Sequence, residues 1–287
     1  MKIRILVVAS VVCICALIAM GQSKKKPSPS PTPESIWDSY EGVKWQKGNS
    51  VGELGDIAQV KVPEGFIFAN ANDTRTIMEA NQNPTSGHEM GFVAPAGENW
   101  FAVFEFDDVG YVKDDDKNSL DANALLDSIK AGTEEGNKER ARRGWAPMII
   151  TGWEQPPHYN EITHNLEWAI KASSEGQLVV NHNTRMLGRG GVMEVTLVTE
   201  PSSLAATLPK FKTMLQGFEF KQGHRYAEFR SGDRTAAYGL TGLIVGGTAA
   251  TLVKTGAFKW IWKALVGAFL AVSALVKKIF SRNRSAA

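Results

Sequence analysis

Gln177-Leu178-Val179-Val180-Asn181-His182-Asn183-Thr184-Arg185-Met186-Leu187, then Gly188-Arg189-Gly190-Gly191, then Val192-Met193-Glu194-Val195-Thr196-Leu197-Val198-Thr199 is the stretch that decides the fold class. Two β-prone runs are separated by a short glycine-rich link. That pattern predicts a hairpin, with glycine supplying the turn cheaply. Outward from it, apolar runs predict strands at 58–62, 65–69, 90–94, 100–106, 148–153 and 166–172. Trp100, Ala102, Phe104 and Phe106 are opposed by Phe101 and Val103, so both faces are apolar and that strand is central. Helices are expected at 74–81 behind an Asp73 cap, at 120–143, and at 203–215. Ala122, Leu125 and Ile129 give the long helix a narrow apolar stripe, and Gly132 and Gly136 are places where it could break. Leu204, Leu208, Phe211 and Leu215 share one face of the last helix. Hairpins outnumber βαβ units, so the expected class is α+β: a mainly antiparallel sheet with flanking helices.

Both ends of the 287-residue chain have a different character. Residues 1–33 and 235–287 carry twelve of the 32 Lys/Arg and no acid, which leaves 20 basic against all 30 acidic residues between them. An acidic body with basic, apolar ends argues against nucleic acid as a partner and for membrane lipids. Residues 1–21 read as a signal peptide: Lys2 and Arg4, an apolar core, then Ala19-Met20-Gly21. Residues 22–33 form a Lys/Pro/Ser-rich linker of polyproline character. Both cysteines, Cys13 and Cys15, lie in the leader, so the body has no disulfide and no thiolate zinc site. Residues 34–230 are then the α+β domain, expected outside the cytoplasm.

The uncharged run 235–253 is just long enough to cross a bilayer. Gly242, Gly246 and Ala250 recur every fourth residue on one face, the pattern that lets membrane helices pack closely and a chain self-associate. Residues 257–280 form a second apolar segment, amphipathic or transmembrane, with Lys259 and Lys263 flanking Trp260 and Trp262. An exported body followed by one span places the basic tail inside, at the cytoplasmic (inner) membrane.

The closing order of hairpin, helix and Gly217-Phe218-Glu219-Phe220 resembles the ends of Mog1/PsbP-like sandwiches in element order. A more specific likeness follows from Asp108-Val109-Gly110-Tyr111-Val112-Lys113-Asp114-Asp115-Asp116 and Gly132-Thr133-Glu134-Glu135-Gly136-Asn137-Lys138-Glu139-Arg140. Gly152-Trp153-Glu154-Gln155-Pro156-Pro157-His158-Tyr159, Thr163-His164-Asn165-Leu166-Glu167-Trp168-Ala169, Gly223-His224-Arg225-Tyr226-Ala227 and Ala236-Ala237-Tyr238-Gly239-Leu240 extend it. From about Gly52 onward the chain resembles the DUF2167 family. That resemblance implies a membrane-anchored bacterial protein and assigns no catalytic residues.

The candidate site residues are Glu154, His158, His164 and Glu167, spaced with Glu161 as on a helical metal face. Pro156-Pro157 rules out a continuous helix, and His158-Tyr159-Asn160 reads as a turn between strands, with His164 entering the next strand. No metal and no cofactor is expected. Asp107, Asp108 and Asp114–Asp116 lack the ligand spacing of a calcium loop, and Asp114–Asp116 read as electrostatic support for the N-terminus of the long helix. Arg189 and the glycines around it could offer an anion a nest, against the simpler reading as a turn. There is no Gly-x-Ser-x-Gly elbow, no phosphate loop and no body cysteine to act as nucleophile. The function expected is a membrane-anchored extracytoplasmic binding or adaptor domain for an unidentified protein or small molecule. The alternative is an extracytoplasmic hydrolase whose acid–base pair the sequence does not identify.

Overall fold

The computed structural model describes Trp37 and residues 40–245. An eight-stranded sheet has the order β1 (Gln46–Lys47), β4 (Phe66–Asn70), β5 (Glu89–Pro95), β6 (Phe101–Asp107), β10 (Val192–Thr199), β9 (Gln177–Leu187), β8 (Asn165–Ser174), β7 (Ile149–Asn160). All its pairings are antiparallel. A second sheet of three strands runs β11 (Phe218–Phe220), β3 (Ala58–Val62), β2 (Ser50–Leu54). The helices are α1 (Ala71–Ala80), α2 (Ala122–Arg142), α3 (Leu204–Leu215) and α4 (Leu240–Val245). The fold is α+β, dominated by antiparallel sheet and flanked by helices.

Strand alternation sorts the side chains into layers. Phe68, Val93, Phe104, Met193, Val195 and Leu197 face the small sheet and α3, meeting Leu54, Val60, Phe211 and Met214 in one core. The opposite face carries two cores. Trp37, Ile67, Phe92 and Val103 pack with Ile77 of α1, and Trp37 Nε1 donates to Pro95 O at 2.8 Å. Leu166, Trp168 and Ile170 of β8 pack with Leu125 of α2 and with Leu240, Leu243 and Ile244 of α4.

The expected β9–β10 hairpin forms, with Leu187 opposite Val192. Its glycines serve a different purpose from the one expected. None of Gly188, Gly190 and Gly191 has positive φ. A Cβ on Gly191 would lie 2.2 Å from Asp107 O, so this glycine is needed for close backbone approach. Asn70, not Asp73, caps α1, accepting from Asn72 N and Asp73 N. α2 runs unbroken through Gly132 and Gly136 behind an Asp121 cap.

The largest departure is at the prolines. β7 continues through Pro156-Pro157, and His158, Tyr159 and Asn160 are strand, with the turn at 161–164. β7 is an edge strand, so missing N–H groups can face away from the ladder. The register shift between Gln155 and His158 absorbs the prolines in a bulge. Asn160 Oδ1 then accepts from Ile162 N and Thr163 N, and His164 takes φ 53° to close the turn.

The described core also runs past residue 230 to Val245, because Leu240, Leu243 and Ile244 are buried in it. Of the run 235–253, residues 235–245 are described, Gly242 among them, and a Cβ there would meet the Tyr238 ring at 2.3 Å. Among the described residues no helix is long and apolar enough to cross a membrane. Residues 1–21, 22–33, 246–253 (with Gly246 and Ala250) and 257–280 lie outside the described residues.

Candidate functional site

Three of the four predicted site residues share a face. Leu166, Trp168 and Ile170 of β8 point to α2 and α4, so Glu167, Ala169 and Lys171 point to the α3 side. His158 lies opposite Glu167 in the β7–β8 ladder, and its Nε2 is 3.8 Å from Glu167 Oε2. Gln155 Nε2 holds the other ring nitrogen, Nδ1, at 2.8 Å. Glu154 pairs with Lys171 at 3.3 Å.

Glu167 gathers two further residues that sequence reasoning did not single out. Lys212 of α3 donates to Glu167 Oε2 at 3.1 Å, and His182 of β9 brings Nε2 to 3.8 Å from the same oxygen. His182 is 1% exposed, packs edge-on against Phe211, and has no hydrogen-bond partner at either ring nitrogen. Burial pushes its pKa down to about 4, so the ring is neutral at pH 7. Thr184 lies opposite Glu167 in the β8–β9 ladder, and its buried hydroxyl is also unpartnered. A carboxylate is therefore surrounded by one ammonium and two imidazoles. Lys212 already neutralises it, so the arrangement disfavours a bound cation. Among the described residues no three His, Cys, Asp or Glu side chains group to hold a metal.

Beside this cluster a groove of about 520 Å³ runs along α3. Pro201, Leu204, Ala205, Leu208 and Pro209 line it, with Glu154 and Lys212 as its charged residues.

His164 is placed elsewhere. Tyr159 donates to Asp114 Oδ2 at 3.0 Å, so its oxygen is left to accept from His164 Nδ1 at 3.0 Å. The His164 ring also lies 4.8 Å from that of Tyr226, which stacks on Tyr111. Burial, and then the Asp114 bond, push the Tyr159 phenol well above its ordinary range. His164 thus belongs to an aromatic cluster on the α2–α4 side.

The remaining candidates are structural. Asp107, Asp108, Asp114 and Asp116 disperse to Tyr238, Arg234, Tyr159 and α4 respectively. Asp116 supports the start of α4, not of the long helix α2. It accepts from Leu240 N, Thr241 N and Thr241 Oγ1 at 2.9, 3.0 and 2.7 Å. Burial works against its charge, yet these bonds hold its pKa below the usual value. Arg189 makes a bidentate pair with Asp233 at 2.7 Å for both bonds, which leaves no open anion nest and holds Asp233 down to about 2.

A comparison with curated proteins gives no match. Among solved structures the chain is similar to cyanobacterial PsbP (CyanoP) from Synechocystis sp. PCC 6803, at 10% identity over 68% of this chain and 97% of that one, with a TM-score of 0.36. A similarity that low supports no conclusion about fold or function. Residues 46–277 match the family described as "Protein of unknown function (DUF2167)", and the chain belongs to that family.

Proposed function

We propose that this chain is a membrane-anchored binding or adaptor domain held outside the cytoplasm at the inner membrane, with the basic tail inside. The exported leader, the stiff linker and the uncharged C-terminal run support the placement. Membrane lipids are one partner. Gly246 and Ala250, beyond α4, give copies a face for self-association in the bilayer, whereas Gly242 packs on Tyr238 within the domain. The other partner is a protein or small molecule taken by the body.

One observation carries the choice of binder over hydrolase. The concavity beside α3 is rimmed by apolar side chains, while the ionisable residues are split between two faces and largely engaged with one another. A groove of that size with few polar groups suits ligand capture. A hydrolase needs an acid or base within reach of a substrate atom. His158 and Glu167 are the pair such a reading would retain, 3.8 Å apart on the exposed side of the cluster.

Purified protein tested against ester, phosphate monoester, glycoside and peptide substrates decides between the classes. No turnover above buffer is expected. Turnover that disappears in both His158→Gln and Glu167→Gln would replace the binder with the hydrolase.

A further inference from the structure

The groove along α3 takes its wall and its rim from different residue types. Pro201, Leu204, Ala205, Leu208 and Pro209 recur at three- or four-residue intervals, so they form one lengthwise stripe, and Lys212 ends it. At 1.5 Å per residue the stripe is about 16 Å long. Its apolar lining is aliphatic throughout and offers no aromatic ring for a planar ligand to stack on. The charged groups at the rim are unevenly presented. The side chains of Lys212, His158 and Lys171 are 50%, 49% and 41% exposed, whereas Glu167 and Glu154, which they face, are 14% and 35% exposed. Nitrogen donors therefore meet solvent first, with the carboxylates beneath them. Lys212 directs one N–H to Glu167 Oε2 at 3.1 Å, and an ammonium has three.

We propose that the groove binds a free fatty acid, a single aliphatic chain that lies along α3 with its carboxylate on Lys212. This deepens the reading of the domain as a binder and rests on it. The chain takes the aliphatic stripe out of water. The carboxylate accepts a charge-assisted hydrogen bond from the N–H groups that Lys212 does not give to Glu167. Lys212, the more exposed member of its pair, separates that head from Glu167. A cationic head is disfavoured, because it meets Lys212 and Lys171 before it reaches either carboxylate. The stripe is a single row of side chains, so it suits one chain and not the two of a phospholipid.

The test uses the full chain in nanodiscs of phosphatidylcholine, a lipid without net charge, and a dodecanoate that carries a photoactivatable diazirine on its chain. After irradiation, mass spectrometry of the digested protein locates the adduct. It should fall within residues 201–212. Excess dodecanoate should suppress it at least five-fold more effectively than dodecanol does, and dodecyltrimethylammonium should not suppress it. Ala205 is exposed, so Ala205→Trp fills the groove without entering the core. It should reduce the adduct at least ten-fold while the circular dichroism spectrum stays the same. Lys212→Met should keep the adduct but lose the head preference, so that dodecanol competes as well as dodecanoate. Lys210→Met, which removes the partner of Glu98, should change neither. An adduct located elsewhere, an equal adduct in Ala205→Trp, or a head preference that survives Lys212→Met overturns the proposal. The binder reading fails separately, through turnover that disappears in both His158→Gln and Glu167→Gln.

Discussion

Cutting the chain after Arg234, ahead of the segment that leads into α4, should be far more damaging than the eleven residues removed suggest. A fragment of residues 34–245 keeps Leu240, Leu243 and Ile244, which are 0%, 4% and 6% exposed. A fragment of residues 34–234 loses all three. Burying each is worth about 1.5–3 kcal/mol, so the loss is about 5–9 kcal/mol as an upper estimate. The shorter fragment also strips Asp116 of three hydrogen-bond donors. Domains of this kind have about 5–15 kcal/mol of stability in total, so the deletion removes much or all of it. Urea unfolding followed by circular dichroism and tryptophan fluorescence measures the difference. The longer fragment should unfold cooperatively, and the shorter should lack a folded baseline or unfold at much lower urea. Unfolding free energies that agree to within about 0.5 kcal/mol would refute the assignment of α4 to the core of the domain.

His182 should make the domain acid-sensitive. Its folded pKa of about 4 lies below the ordinary value of 6.5, because burial penalises the charged ring, so the unfolded chain binds the proton more readily. Its contribution is therefore complete above pH 6.5 and falls by about 3 kcal/mol as pH drops to 4, and His182→Phe should flatten that part of a stability–pH profile. Gly191→Ala should destabilise by about 1–3 kcal/mol, because its Cβ meets Asp107 O, whereas Gly190→Ala, with nothing within 4 Å, should be nearly neutral in the same urea assay. Gly132→Ala and Gly136→Ala should each raise stability by about 0.5–1 kcal/mol, since both sit inside α2 with open space at the Cβ position.

What the sequence made legible was local. The β9–β10 hairpin, the alternating strands and the three longer helices follow from periodicity within short windows, although the cap of α1 falls at Asn70 and not at Asp73. The departures depend on position in the sheet. Pro156 and Pro157 break a strand in the middle of a sheet, but β7 lies at its edge, and chain order alone does not say which strand is outermost. His182 and Lys212 join Glu167 only through the ladder register and the seat of α3, 15 and 45 residues away in sequence. No spacing rule marks them. Asp116 caps a helix 124 residues downstream, and its neighbour α2 was the nearer and mistaken candidate. The split of His164 from His158 turns on β7 continuing to Asn160, which leaves His158 in the ladder and puts His164 at the end of the β7–β8 turn with φ 53°.

The most direct test of the account is the sidedness of the body. Ile162 stands at the tip of the β7–β8 turn, 92% exposed, where a substituted thiol leaves the packing undisturbed. Ile162→Cys, in a chain with Cys13→Ser and Cys15→Ser, is treated with a membrane-impermeant maleimide in intact bacterial spheroplasts and again after lysis. A domain held outside the cytoplasmic membrane predicts full labelling before lysis and no gain after it. Labelling that appears only after lysis would contradict the placement, and with it the proposal that this domain captures an extracytoplasmic partner.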